Sequence, residues 1–303
     1  MRNFLEYILL LPLRWIALAL PFRLVQLFGK WFGTFVYYVV PVRKALVISN
    51  LCHAFPDKSQ EEIQHIALKN YQNIFQTFFE TLWIQRISEH QIRNIVNIPQ
   101  LPLLDEMVSR GKGLIMLSGH LCNWELIALA VGMLSGHPLQ IIVKKQHNPF
   151  ADRLMNRLRT KFNNTVVDMD RAPRETLKRL REGGVVAMLA DQSGPAEGLF
   201  VDYFGRPAST HIGPAVFFLR TNAPIIMTYG IRNSDGTFDV SFEEVPTSDV
   251  SGTDDQKIRT ITERHVKMLE QFVRKHPDQW LWMHKRWKHT ERYLYQQREG
   301  MTQ

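Results

Sequence analysis

Hydrophobic residues crowd the first forty positions and then settle into a regular alternation. Phe4 to Pro21 and Leu24 to Val40 are nearly continuous apolar stretches. Arg14 interrupts the first and Lys30 the second, while Pro12 and Pro21 limit helix continuity. A membrane span needs about 20 mainly apolar residues, and each stretch is slightly short or carries a charge. Arg2, Arg14, Arg23, Lys30, Arg43 and Lys44 lie in or beside these runs, with Trp15, Trp31, Tyr37 and Tyr38 among them. Aromatic rings and snorkelling cations suit a bilayer interface. Residues 1–40 are therefore expected to attach to a membrane, by one tilted helix or a shallow hairpin, with 41–303 as the main domain. The alternative is a buried helical layer of that domain. No small-residue cleavage site follows at the usual spacing, so the segment is expected to be retained.

Further along, Ile63, Ile66, Ala67, Tyr71, Ile74, Phe75, Phe78 and Phe79 repeat at helical spacing and predict a long helix over Lys58–Arg86. Ser59 is its expected N-cap, with Glu61 and Glu62 in the first turn. From Gly113 the pattern changes. Leu114–Leu117, Ile141–Val143, Val185–Leu189 and Ile225–Tyr229 are short apolar runs of the kind buried strands make. Helical stretches separate them at Trp124–Leu134, Phe150–Lys161, Pro173–Arg181 and Pro214–Arg220. This alternation predicts an α/β domain whose central sheet is mostly parallel or mixed and flanked by helices. Phe238–Val245 is an expected edge strand and Asp254–Lys275 a final amphipathic helix.

Composition narrows the functional classes. The chain has 303 residues, 45% of them apolar, and a formal net charge of +8. A basic surface suits nucleic acid, anionic lipid headgroups or an acidic protein, or is simply a solvated face. Lys and Arg are dispersed without a long basic run or zinc-finger spacing, so nucleic acid is not the expected partner. Two cysteines, Cys52 and Cys122, make no disulfide framework and fit a reducing compartment. The histidines show no H-E-x-x-H spacing, and no metal site is expected. There is no Walker A or dinucleotide glycine fingerprint, and no G-x-S-x-G nucleophile elbow of a hydrolase.

The candidate chemistry lies in Leu114-Ile-Met-Leu-Ser-Gly-His-Leu-Cys-Asn-Trp-Glu125. His120 follows the C-terminal end of an apolar strand, where α/β proteins place ligands. Asn123 is an expected N-cap, which puts Glu125 in the first turn of the next helix. A carboxylate there can accept from one imidazole nitrogen and leave the other basic. The base would then deprotonate a substrate hydroxyl for direct attack on a thioester. A capping His beside a surface Glu is the plainer alternative. Lys144 follows another apolar strand, and Arg153, Arg157 and Arg159 lie on the helix after it. Asp191 and Gln192 sit just beyond a third strand, placed to orient substrate or the catalytic loop, or to cap a turn. Arg206 follows a glycine in a tight turn and is a candidate headgroup contact. His284, Lys285 and Arg286, between Trp282 and Trp287, suit either a structural clasp or a phosphate contact.

These segments together resemble one family. Arg43-Lys-Ala-Leu-Val-Ile-Ser-Asn-Leu-Cys-His-Ala-Phe-Pro56, Gly119-His-Leu-Cys-Asn-Trp-Glu125, Asn148-Pro-Phe-Ala-Asp152 with Arg159, Asp191-Gln192 with Tyr203-Phe-Gly-Arg-Pro-Ala208 and Thr210, and Pro277-Asp-Gln-Trp-Leu-Trp-Met-His-Lys-Arg-Trp-Lys288 follow in order. In this order they resemble the lipid A late acyltransferases, the lauroyl/myristoyl branch of the glycerolipid acyltransferase superfamily with its His-x4-Asp/Glu motif. Cys122 stands where that branch's Gly-His-x-Gly-Asn-Trp-Glu motif has glycine. The resemblance implies a glycerolipid acyltransferase-like fold and transfer of an acyl chain from acyl carrier protein to the 3-hydroxyl of an acyl chain on a lipid A precursor. It implies action at the cytoplasmic face of the inner membrane, among bacterial membrane lipids, with no cofactor beyond the acyl donor. His120 is the implied base and Glu125 its orienter, with Asn123, Lys144, Arg159, Asp191, Gln192 and Arg206 toward substrate. The rivals are a same-superfamily enzyme acting on a glycerol-phosphate, aminolipid or glycolipid, and a non-catalytic lipid-binding membrane protein.

Overall fold

In the computed structural model, which describes residues 2–300, the alternation beyond Gly113 becomes one mixed sheet. Its seven strands are β1 (Val96–Asn97), β2 (Leu114–Ser118), β3 (Leu139–Val143), β4 (Thr165–Asp168), β5 (Val185–Leu189), β8 (Ile225–Arg232) and β9 (Phe238–Glu244). The spatial order is β1-β9-β8-β2-β5-β3-β4, parallel except where β9 runs against β8. Two further strands, β6 (Leu199–Tyr203) and β7 (Arg206–Thr210), form a separate antiparallel hairpin. In β2 the side chains of Ile115 and Leu117 join one apolar cluster while Leu114 and Met116 join another. Both faces of the central strands are thus covered, which is why they read as unbroken apolar runs.

The helices are α1 (Arg2–Ala19), α2 (Phe22–Val39), α3 (Lys44–Ala54), α4 (Gln60–Trp83), α5 (Glu89–Ile95), α6 (Leu101–Ser109), α7 (Trp124–Leu134), α8 (Pro149–Arg159), α9 (Ala172–Arg181), α10 (Gly213–Thr221), α11 (Asp254–Lys275) and α12 (Thr290–Gly300). The expected start of α4 is present: Ser59 accepts from Glu62 N–H, and the Glu62 side chain accepts from Ser59 N–H. Helices α3, α5, α6 and α12, strands β1 and β4, and the β6–β7 hairpin were not expected from the sequence, and β9, expected at the sheet edge, lies between β1 and β8.

The N-terminal apolar stretches form α1 and α2. No single helix among the described residues is long and apolar enough to cross a membrane, although α2 and α3, bent by 97°, pass together by length and composition. Helix α2 lies against α4, and glycine sets how closely. A Cβ on Gly29 would stand 2.7 Å from the Gln76 Cα, and one on Gly33 would stand 2.6 Å from the Tyr71 carbonyl oxygen. The opposite face of α2 carries Leu24, Leu27, Trp31, Phe35 and Tyr38, all exposed and at helical spacing.

Candidate active site

Strand β2 ends at Ser118, opposite Leu189 at the end of its parallel neighbour β5. The ladder runs one step further, Ala190 N–H donating to the Ser118 carbonyl at 3.1 Å. Two residues beyond each strand, His120 and Asp191 consequently come side by side. His120 Nδ1 lies 2.7 Å from Asp191 Oδ1, and the His120 backbone N–H donates to Oδ2 at 2.6 Å. The Trp280 indole also donates to Oδ2, at 2.8 Å. Gly119 makes room for this approach, since even a methyl group there would lie 3.1 Å from Oδ2.

These contacts assign the imidazole tautomer. With Nδ1–H given to Asp191, Nε2 keeps its lone pair. It accepts from the Gln192 amide at 3.3 Å, and the Trp124 ring packs edge-on with centroids 4.9 Å apart. Asp191 is buried, whereas the His120 side chain keeps 17% of its surface exposed. Burial disfavours the imidazolium, but the charge and hydrogen bond of Asp191 outweigh it and raise the His120 pKa. Burial acts against the Asp191 carboxylate too, and there His120 wins, holding that pKa down at about 2.

The carboxylate expected from Glu125 is therefore supplied by Asp191. Glu125 sits in the first turn of α7 as expected, buried, but its partner is Arg159. Arg159 donates from Nε to Oε2 at 2.9 Å and from Nη2 to Oε1 at 2.5 Å. Both charges sit where helix dipoles favour them, the acid in the first turn of α7 and the base in the last turn of α8. The Trp124 indole adds a bond to Glu125 Oε1 at 3.2 Å. Arg159 Nη1 is buried without a hydrogen-bond partner.

Asn123 caps α7 as expected, its Oδ1 accepting from Leu126 N–H at 3.0 Å. It is fully buried, and its Nδ2 donates to Glu80 at 3.0 Å. Lys144 stands exposed just past β3, where burial, Arg286 and then Lys144 lower the His211 pKa. Arg206 lies at the turn of the β6–β7 hairpin, ion-paired with Glu291, at the end away from Thr210. His284 approaches the site, its Nε2 accepting from Ser193 N–H at 3.0 Å. Arg286 is buried and donates to Ser209 O and Thr210 Oγ1, a clasp from the C-terminal segment onto β7. Burial pushes the Cys122 thiol up to about 12, so it stays protonated and is no nucleophile. Among the described residues no group of three or more His, Cys, Asp or Glu side chains is placed to hold a metal ion.

Comparison with known proteins identifies the family. The model of the bacterial lipid A biosynthesis acyltransferase family matches residues 2–289. The chain belongs to that family. Relatives include a lipid A biosynthesis acyltransferase of Haemophilus influenzae, 26% identical over 277 residues that cover 89% of this chain and 86% of the relative. A lipid A biosynthesis lauroyltransferase of Escherichia coli is 23% identical over 276 residues, 90% of this chain and 88% of the relative. A phosphatidylinositol mannoside acyltransferase of Mycobacterium tuberculosis is 24% identical over 188 residues, 61% of this chain and 57% of the relative. As a member of this family the protein is an acyltransferase.

Proposed function

We propose that this acyltransferase moves a fatty acyl chain from acyl carrier protein to the hydroxyl of an acyl chain on a lipid A precursor, with His120 as general base. The observation that supports this most is the His120–Asp191 contact, which leaves Nε2 basic and partly open. A hydroxyl entering from that side displaces the Gln192 amide and gives its proton to Nε2. The oxygen attacks the thioester carbonyl carbon, and Asp191 stabilises the imidazolium that forms. The tetrahedral intermediate collapses, the C–S bond breaks, and the imidazolium returns the proton to the departing thiolate. Gln192, once displaced, is a donor available to the developing oxyanion. The thioester supplies the driving force, so the reading needs no further cofactor.

The apolar face of α2 supports attachment to a bilayer surface, and the reading places the enzyme at the cytoplasmic face of the inner membrane, where carrier protein and precursor meet. The +8 charge favours both anionic lipid and an acidic carrier. The mycobacterial relative favours one second reading, a glycolipid acceptor. Mass spectrometry of lipids from a deletion strain, complemented with wild type or with His120→Ala, separates them. Lipid A lacking one acyl chain, restored only by wild type, is the expected result. Unchanged lipid A with an underacylated glycolipid would overturn the acceptor. Restoration by His120→Ala would overturn the base.

A further inference from the structure

The backbone that presents His120 turns through a left-handed residue. Cys122 has φ +46°, a region that a residue carrying a Cβ enters at a cost. Something must hold it there, and the holding groups are on the page. On one side the chain is strapped to Gln279–Leu281: Cys122 N–H donates to Gln279 O at 2.8 Å, and Leu281 N–H donates to His120 O at 3.1 Å. On the other side the Thr77 hydroxyl donates to Cys122 O at 2.8 Å, and Asn123 Nδ2 donates to Glu80 Oε2 at 3.0 Å.

Glu80 is the centre of this support. It is fully buried, and Arg232 donates to it from Nε at 2.9 Å and Nη2 at 2.6 Å. The same Nη2 reaches the Thr77 hydroxyl at 3.0 Å, and the Arg232 backbone N–H donates to Gln279 Oε1 at 2.8 Å. Gln26 of α2 completes the set, donating to Glu80 Oε1 at 2.9 Å. A buried ion pair of this kind is weak evidence for stability. The mechanism above makes no use of it, yet both of its side branches end on Cys122 and Asn123, two and three residues after His120.

We propose that Glu80, with Arg232, is a positioning residue for catalysis: through Asn123 and Thr77 it holds Cys122 in its left-handed conformation, so that His120 meets Asp191 and α7 starts in the right place. This rests on the reading of His120 as base. Glu80 touches neither substrate nor the reacting atoms, so its contribution is to the rate of the bound complex and to the imidazole environment.

The test uses full-length enzyme, dodecanoyl-loaded acyl carrier protein and a lipid A precursor as probes. Glu80→Gln alone leaves Arg232 buried without its counter-ion and can fail to fold. It is therefore combined with Arg232→Met, and Asn123→Ser is made separately, since serine still caps α7 but cannot reach Glu80. Both should lower kcat by about 10- to 100-fold with KM nearly unchanged, the scale of a small misplacement of a reacting group. The acid limb of the pH profile should also move to lower pH as the Asp191 contact loosens. Adding Cys122→Gly, which takes positive φ freely, should recover about tenfold in the Asn123→Ser background. Folded variants with wild-type kcat and pH profile, or a loss that Cys122→Gly leaves untouched, would overturn the positioning role. His120→Ala, run in parallel, keeps the two readings apart: if it is inactive while Asn123→Ser turns over normally, only the role of Glu80 falls.

Discussion

Asp191→Asn is the sharpest test of the proposed catalytic pair, because it changes one charge and almost no volume. Asp191 accepts from three donors, the His120 backbone N–H, the His120 imidazole and the Trp280 indole. An asparagine offers one oxygen in place of two. If the oxygen stays on the backbone and indole donors, the amide N–H₂ turns to Nδ1, and the imidazole must carry its proton on Nε2 instead. That tautomer cannot take a proton from the acceptor. The equivalent exchange in a serine protease triad costs about 10⁴-fold. Here the backbone strap at Leu281 keeps His120 in place, so a loss of about 10³- to 10⁴-fold is expected, or about 4–5.5 kcal/mol of barrier. The pH profile carries an independent sign. Neutral imidazole is the active form, so the rate rises as pH passes the His120 pKa, which stands above the ordinary 6.5. Burial lowers that pKa, and Asp191 raises it past that effect. Removing the Asp191 charge therefore moves the acid limb to lower pH even as the plateau falls. Single-turnover acyl transfer between about pH 5 and 9, with folding checked by thermal melting, measures both. A folded Asn variant within tenfold of wild type, or with its acid limb moved upward, would refute the reasoning.

Arg159→Met should cost about 3–5 kcal/mol in urea unfolding, because it leaves Glu125 buried without its cation, and Glu125→Gln on top should restore most of that; additive losses would count against a tightly coupled pair. Gly33→Ala should lower the melting temperature by a few degrees, since its Cβ would lie 2.6 Å from the Tyr71 carbonyl, and an unchanged melt would mean that α2 does not sit on α4 this way. Leu27→Gln, Trp31→Gln and Tyr38→Gln together should shift the enzyme from membranes to the supernatant in a carbonate wash with little change in melting, because all three side chains are more than 60% exposed. Equal retention of wild type and variant would remove the α2 face as the attachment surface.

What the sequence made legible follows burial. Strands β2, β3, β5 and β8 stood out because both sheet faces are covered and their residues are apolar without interruption. Strand β4 escaped because it lies at the sheet edge and two of its four residues, Thr165 and Asp168, are exposed. The β6–β7 hairpin escaped because Phe204 and Gly205, both at positive φ, turn it within a stretch that otherwise reads as loop. The site was half legible. His120, Asp191 and Gln192 were each visible as residues just past strand ends. That His120 would meet Asp191 was not, because the strand order β2-β5 joins positions 71 apart in sequence and no local pattern states it. The local pattern instead favoured Glu125, five positions on.

The spacing of His120 and Glu125 then has a different physical meaning from a proton relay. The two residues bracket a strand end, a left-handed turn and a helix start, and Glu125 is the point where that helix grips Arg159 of α8. At the imidazole the two members of this pair act in opposite senses, Glu125 raising the pKa and Arg159 lowering it, while Asp191 raises it more than either. The two members of the pair thus oppose each other at the base, and together they fix where α7 and α8 stand around it. On this account one carboxylate, Asp191, sets the proton affinity of His120, and the other, Glu125, sets the shape of the pocket into which the acceptor hydroxyl must fit. A neutral Gln at 125 should therefore cost stability and substrate fit more than it moves the acid limb, whereas a neutral Asn at 191 should do the reverse. The relative shifts of those two pH profiles decide which carboxylate belongs to the histidine.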